Sequence, residues 1–104
     1  MASTIGWELY RSFLGVLKEG SLSGAARQLG ITQPTVGRHI AALEAELGVV
    51  LFTRSPAGLL PTAVAHTLRA HAETMERTAA ALERAASAHG DEVRRVVPVS
   101  YTHL

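Results

Sequence analysis

The sequence predicts a mainly α fold, on three observations. Aromatic residues make up only 5% of the chain and β-branched residues hardly cluster, which leaves little material for a sheet. Apolar residues recur at three- and four-residue steps over most of its length. Glycines at 20, 30 and 48 and capping hydroxyls at Ser21, Thr32 and Thr62 cut those periodic runs into separate helices.

The first helix is expected over about residues 6–18, where Trp7, Tyr10, Phe13, Leu14 and Leu17 form one apolar stripe. Gly20 ends it. Ser21 caps a second helix of about eight residues whose inward face is Leu22, Ala25, Ala26 and Leu29, stopped by Gly30. A third helix, residues 32–47, opens at Thr32, with Pro34 in the first turn, where its missing N–H does no harm. Ile31 can staple onto Val36, and Val36, Ile40, Leu43 and Leu47 form the buried stripe ahead of Gly48. Two short helices joined by a Gly-containing turn of three or four residues make a helix-turn-helix. Val49-Val50-Leu51-Phe52 and Leu59-Leu60 then flank the turn Ser55-Pro56-Ala57-Gly58, which reads as a two-stranded hairpin or wing. The whole is a winged helix-turn-helix, residues 1–62.

Thr62 caps a long helix running to residue 87 or 89, with ten alanines among residues 63–88 and no internal Gly or Pro. At about 1.5 Å per residue it spans nearly 40 Å, longer than so small a body can cover. Ala65, Leu68, Ala72, Met75, Ala79, Leu82 and Ala86 alternate steps of three and four without a slip, which is a coiled-coil seam. Folding back on its own domain is the plainer alternative, but the number of apolar layers favours a partner helix, most simply a second copy of the chain. Residues 63–89 are therefore expected to link and dimerise. Arg69 with Glu73 and Glu73 with Arg77 support the helix at four-residue spacing. Residues 90–104 read as a tail: a linker at 89–91, then a strand pattern at 93–99 interrupted by Pro98, which either frays or starts a missing effector domain, and a stretch at 100–104 without structural logic, native or not.

Composition excludes several classes. A chain of 104 residues holds one core, not two, and 47% apolar with 18% charged residues describes a folded module. Ten Lys+Arg against nine Asp+Glu leave a net charge of +1, so charge alone does not announce a nucleic-acid binder. The absence of cysteine excludes disulfides and thiolate chemistry and fits a reducing cytosol, hence a cytoplasmic location. No run approaches the roughly 18–20 apolar residues of a membrane span, and the N-terminus lacks a secretion signal. His39, His66, His71, His89 and His103 show no metal spacing, Glu44 and Glu46 diverge on their helix, and no nucleophile elbow or phosphate loop occurs. These groups read as solvated helix surface. No catalytic residue, metal or cofactor is assigned, and an enzyme is not expected.

The third helix offers a better-defined surface. Opposite its buried stripe stand Gln33, Thr35, Gly37 and Arg38, with His39 and Ala41 more lateral. Such a helix enters a major groove N-terminus first. Gln33 suits an adenine edge, Arg38 guanine or a phosphate, and the Thr35 methyl a thymine. Thr32 and the free N–H groups beside Pro34 form an anion site. Gly37, a poor helix former, lets the backbone approach closely, and Arg54 can reach a phosphate or the minor groove. Any one of these residues is as well explained as solvated surface; their joint placement makes the case.

Residues 13–54 carry a longer pattern: Gly20-Ser21-Leu22-Ser23-Gly24-Ala25-Ala26-Arg27-Gln28-Leu29, then Thr32-Gln33-Pro34-Thr35-Val36-Gly37-Arg38-His39-Ile40, then Leu43-Glu44-x-Glu46-Leu47-Gly48-x-x-Leu51-Phe52-x-Arg54. It closely resembles the DNA-binding domain of LysR-type transcriptional regulators, and the similarity continues through Gly58 and Thr62 over about residues 6–88. The resemblance implies a winged helix-turn-helix and a long linker helix through which such proteins homodimerise, often antiparallel. It also implies double-stranded DNA with a two-fold symmetric operator as partner, and a small-molecule effector acting only through a C-terminal domain missing from this chain. Three departures stand out. Position 37 usually carries a small hydroxyl residue in that family, the wing tip is often basic where Ser55-Pro56-Ala57-Gly58 carries no charge, and Pro61-Thr62-Ala63 replaces the usual Leu-Thr-Pro. The expected function is sequence-specific DNA binding as a homodimer. The alternative is a helical dimerisation module that no longer binds DNA.

Overall fold

The computed structural model describes residues 5–89. Its elements run α1 (Trp7–Glu19), α2 (Leu22–Leu29), α3 (Gln33–Leu47), β1 (Phe52–Ser55), β2 (Gly58–Pro61) and α4 (Ala63–Ala88). This is the winged helix-turn-helix followed by a long helix. The expectations for residues 90–104 lie outside the described residues.

Local chemistry sets the boundaries. The Ser21 hydroxyl accepts the Gly24 N–H at 3.0 Å, the Thr32 hydroxyl accepts the Thr35 N–H at 3.3 Å, and the Thr62 hydroxyl accepts the Ala65 N–H at 3.2 Å. Each satisfies a backbone donor that a helix start leaves open. The Thr62 hydroxyl also donates to the Val50 carbonyl at 2.7 Å, so the same residue that starts α4 ties it to the strand entrance. α4 begins at Ala63, directly after the Thr62 cap.

Two expectations about the third helix and the wing need correction. Leu47 does not complete the buried stripe; it is 38% exposed. The chain reverses at Gly48, which adopts φ +70°, a backbone conformation open to glycine and strained for other residues. Val49, past that reversal, packs against the core instead. The first strand also starts later than expected, at Phe52 and not Val49. Residues 50 and 51 spend their carbonyls on Thr62, and the Leu51 N–H is held by a side chain of α3, so neither is free to enter the ladder. β1 and β2 pair antiparallel with Phe52 opposite Pro61 and Ser55 opposite Gly58. The turn is completed by the Ser55 hydroxyl, which accepts the Ala57 N–H and donates to the Gly58 carbonyl. Gly58 has φ +120°, and a Cβ there would stand 3.1 Å from the Gly20 carbonyl oxygen. Glycine lets the wing sit against the end of α1.

The core joins Phe13, Leu14 and Val16 of α1, Ala25 and Ala26 of α2, Val36, Ile40 and Leu43 of α3, then Leu51, Phe52, Ala65 and Ala72. The Phe13 and Phe52 rings meet at 5.9 Å in a tilted arrangement. The inner face of α1 is broader than the expected stripe, because Ser12, Gly15 and Val16 are buried beside Phe13 and Leu14, while Trp7, Tyr10 and Leu17 are half-buried. Gly15 lies where a Cβ would come 3.3 Å from Ala25 and Leu29, so α1 and α2 approach closely.

The chain divides into a first unit ending at Glu73 and a second beginning at Thr74. The seam of α4 is divided likewise. Ala65 and Ala72 are closed into the core of the first unit, so these two are not open to a partner as expected, and Leu68, half-buried, packs against the same core. Folding back, the plainer alternative, holds for this part of the helix. In the second unit Met75 is 40% and Leu82 69% exposed, Ala86 is exposed and Ala79 half-buried. Arg69 and Glu73 pair at 3.1 Å as expected, while Arg77 donates to Thr74 Oγ1.

Candidate nucleic-acid interface

α3 begins on the residues expected to carry chemistry. Thr32 is its N-cap, Gln33 its first residue, and Pro34 lies in the first turn. The stripe Val36, Ile40 and Leu43 faces the core, which turns the opposite side to solvent. Thr32, Gln33, Pro34 and Arg38 are exposed, and Thr35 and Gly37 are half-buried. Among the described residues none covers Gln33 or Arg38.

Three of these side chains form a hydrogen-bonded ladder at three-residue steps. Arg38 Nη2 donates to Thr35 Oγ1 at 3.1 Å, and Thr35 Oγ1 lies 2.7 Å from Thr32 Oγ1. The hydroxyls therefore orient the guanidinium along the helix while leaving most of its five N–H donors open. At Gly37 a Cβ would meet only Leu22 Cδ1, at 3.8 Å, so nothing in the fold excludes a side chain there.

Arg54, on β1, is exposed. Together with Gln33 it borders an open groove of about 230 Å³ that is completed by Ser21, Leu22 and Ser23 at the start of α2 and by the wing residues Ser55, Gly58 and Leu59. The structure thus brings together Gln33, Arg54 and the N-terminus of α2, which lie far apart in sequence. The wing tip, Pro56 and Ala57, is exposed and carries no charge.

Two polar residues expected on the solvated surface have other roles. Glu44 Oε2 accepts the Leu51 N–H at 2.8 Å and the Phe52 N–H at 3.4 Å, anchoring the entrance of the wing to α3. His39 turns away from the outward face, and its Nδ1 lies 2.8 Å from the hydroxyl of Ser12 on α1. A signal for both was present in the spacing: His39 is three residues from Val36 and four from Leu43, and Glu44 is four from Ile40, so both share the buried side of the helix.

Comparison with known proteins decides the family. Residues 7–66 match the bacterial regulatory helix-turn-helix protein family, lysR family. The chain belongs to this lysR family. Among its relatives, the HTH-type transcriptional regulator protein PtxE of Stutzerimonas stutzeri is 39% identical over 85 residues, which cover 81% of this chain and 42% of PtxE. The HTH-type transcriptional regulator ClcR of Pseudomonas putida is 49% identical over 57 residues, 55% of this chain and 19% of ClcR. The chain thus spans about two fifths of the one and a fifth of the other. A crystal structure of the CbnR DNA-binding domain in complex with DNA superposes with a TM-score of 0.73 at 32% identity, covering 82% of this chain and 98% of that one. The lysR-family relatives are transcriptional regulators, not enzymes. Among the described residues no helix is long and apolar enough to cross a membrane.

Proposed function

We propose that this chain is the DNA-reading part of a cytoplasmic LysR-type transcription regulator, that it binds double-stranded DNA sequence-specifically, and that it acts as a homodimer on a two-fold symmetric operator. The observation that carries the reading is the open N-terminal half of α3, with Gln33 and Arg38 exposed and Arg54 across a groove from Gln33. Gln33 reads an adenine edge, Arg38 a guanine, and the methyl of Thr35 a thymine, with the Thr35 hydroxyl occupied in orienting Arg38. Arg54 and the N-terminal turns at Thr32-Pro34 and Ser21-Ser23 take phosphates. Gly37 keeps the helix backbone close to the base edges. The dimer forms through the second unit's part of α4, around Met75, Ala79, Leu82 and Ala86, with Ala65, Leu68 and Ala72 fixing the start of that helix to each protomer's own core. A small-molecule effector acts through a domain other than the winged helix-turn-helix. DNA binding by the matched domain of CbnR supports the reading.

The test is selection of preferred sites from random DNA, followed by titration of the recovered duplex against a scrambled one. Wild-type chain is expected to recover a symmetric motif. Gln33→Ala and Arg38→Ala are each expected to remove about 1–3 kcal/mol of discrimination, the worth of a good base contact, with melting unchanged. Equal discrimination in both variants overturns the assignment. The uncharged wing tip favours a second reading, a dimerisation module without DNA affinity, which a dimer that fails to bind DNA at low salt establishes.

A further inference from the structure

Ser12 is the one buried polar side chain among the core residues described, 1% exposed in a helix interface otherwise made of apolar groups. Its partner is His39 Nδ1 at 2.8 Å, 27 residues away on α3. The two border a recess of about 60 Å³ shared with Glu8 and Arg11 of α1, Leu29 at the end of α2 and Ile31 in the turn before α3. This polar link therefore sits where all three helices meet, on the side of α3 away from its exposed residues.

The stripe of Val36, Ile40 and Leu43 sets which side of α3 faces the body, but apolar contact is non-directional and resists small rotations less steeply than a hydrogen bond does. A hydrogen bond weakens steeply with misalignment and so sharpens that setting. His39 follows Arg38 directly and lies four residues from Thr35, so a rotation that keeps Nδ1 on Ser12 also fixes where Arg38, Thr35 and Gln33 point. We infer that His39 is a positioning residue of the reading helix, acting through its hydrogen bond to Ser12 to hold the exposed face of α3 in one rotational setting. The inference rests on the DNA-binding reading and adds to it a residue that touches no base.

The test compares Ser12→Ala, His39→Leu and His39→Asn in the full chain, each titrated with the duplex selected by the wild-type chain and with its scrambled counterpart, and each melted by circular dichroism. Asparagine places an amide near the position of Nδ1 and can donate or accept, so it restores the link in either tautomer. The expected result is that Ser12→Ala and His39→Leu lower the selected-to-scrambled affinity ratio by about fivefold, the weight of one net hydrogen bond. His39→Asn should keep both the ratio and the melting temperature, while Ser12→Ala and His39→Leu also melt a few degrees lower because each leaves a buried polar partner unpaired. An unchanged ratio in Ser12→Ala and His39→Leu overturns the inference and leaves the DNA-binding reading standing. A ratio that falls in step with melting temperature in all three variants, asparagine included, also overturns it, because the link is then only a stabilising one. A wild-type chain with no preference between duplexes removes both the reading and the inference.

Discussion

At Glu44 a single carboxylate does the work of several backbone contacts. It receives the N–H groups of Leu51 and Phe52 just where the chain leaves the helices for the wing. Bonds to a charged acceptor are each worth about 1.5–3 kcal/mol, and losing this carboxylate strands two donors, the N–H groups of buried Leu51 and Phe52. Glu44→Ala is therefore expected to lower unfolding free energy by about 2–3 kcal/mol in urea, with Glu46→Ala, on the exposed side, nearly silent. Gly37 gives the opposite sign. Its Cβ position is open apart from Leu22 Cδ1 at 3.8 Å, so Gly37→Ala should stabilise α3 by about 1 kcal/mol. The same denaturation curve reads it. On the proposed function the added methyl should weaken operator binding at the same time, separating stability from recognition.

Among the elements, α3 was readable in sequence because each of its signals is local. Thr32 caps it, Pro34 sits in its first turn, Gly48 ends it, and the expected and observed spans differ only in counting the cap. The faces were read less well. His39 and Glu44 are polar, and polar residues usually lie outside, yet both hold partners brought near by the return of α1 and by the reversal at Gly48. The wing shows the same limit. Val49 and Val50 have strand propensity, but Thr62 and Glu44 claim the backbone groups of the segment first. On α4 the seam repeats evenly from Ala65 to Ala86, and nothing in that repeat tells which layers meet the chain's own core. Burial of Ala65 and Ala72 tells it. Substitutions should separate the two halves of the helix: Leu68→Glu is expected to destabilise the first unit by several kcal/mol, since a charge is forced against the core. Met75→Glu with Leu82→Glu should leave its melting nearly unchanged.

For the whole molecule, the proposed dimer makes that pair of substitutions informative again. Met75→Glu with Leu82→Glu is expected to halve the mass seen in sedimentation and to lower operator affinity by about a hundredfold, the lower range of what linking two binding units confers. A dimer of unchanged mass would place the interface elsewhere. Near-neutral charge also sets the expected salt response. With a net +1 and few cations on the interface, log affinity should fall with log salt on a slope of only a few units per protomer, in contrast to strongly basic binders. Titration at several salt concentrations measures it.

Helix boundaries, the class of fold and the outward residues Gln33, Thr35 and Arg38 are legible in the amino-acid order, because caps, glycines and three-to-four-residue periodicity act within a few residues of chain. It takes the folded chain to show that His39 reaches Ser12, that Glu44 holds the wing, that Gln33 and Arg54 border one groove, and that the first three of seven even seam positions pack on the chain's own core. Those facts depend on which distant segment arrives at a given helix face, and a hydrogen bond or a buried methyl is fixed by that arrival rather than by the spacing of the residue that makes it.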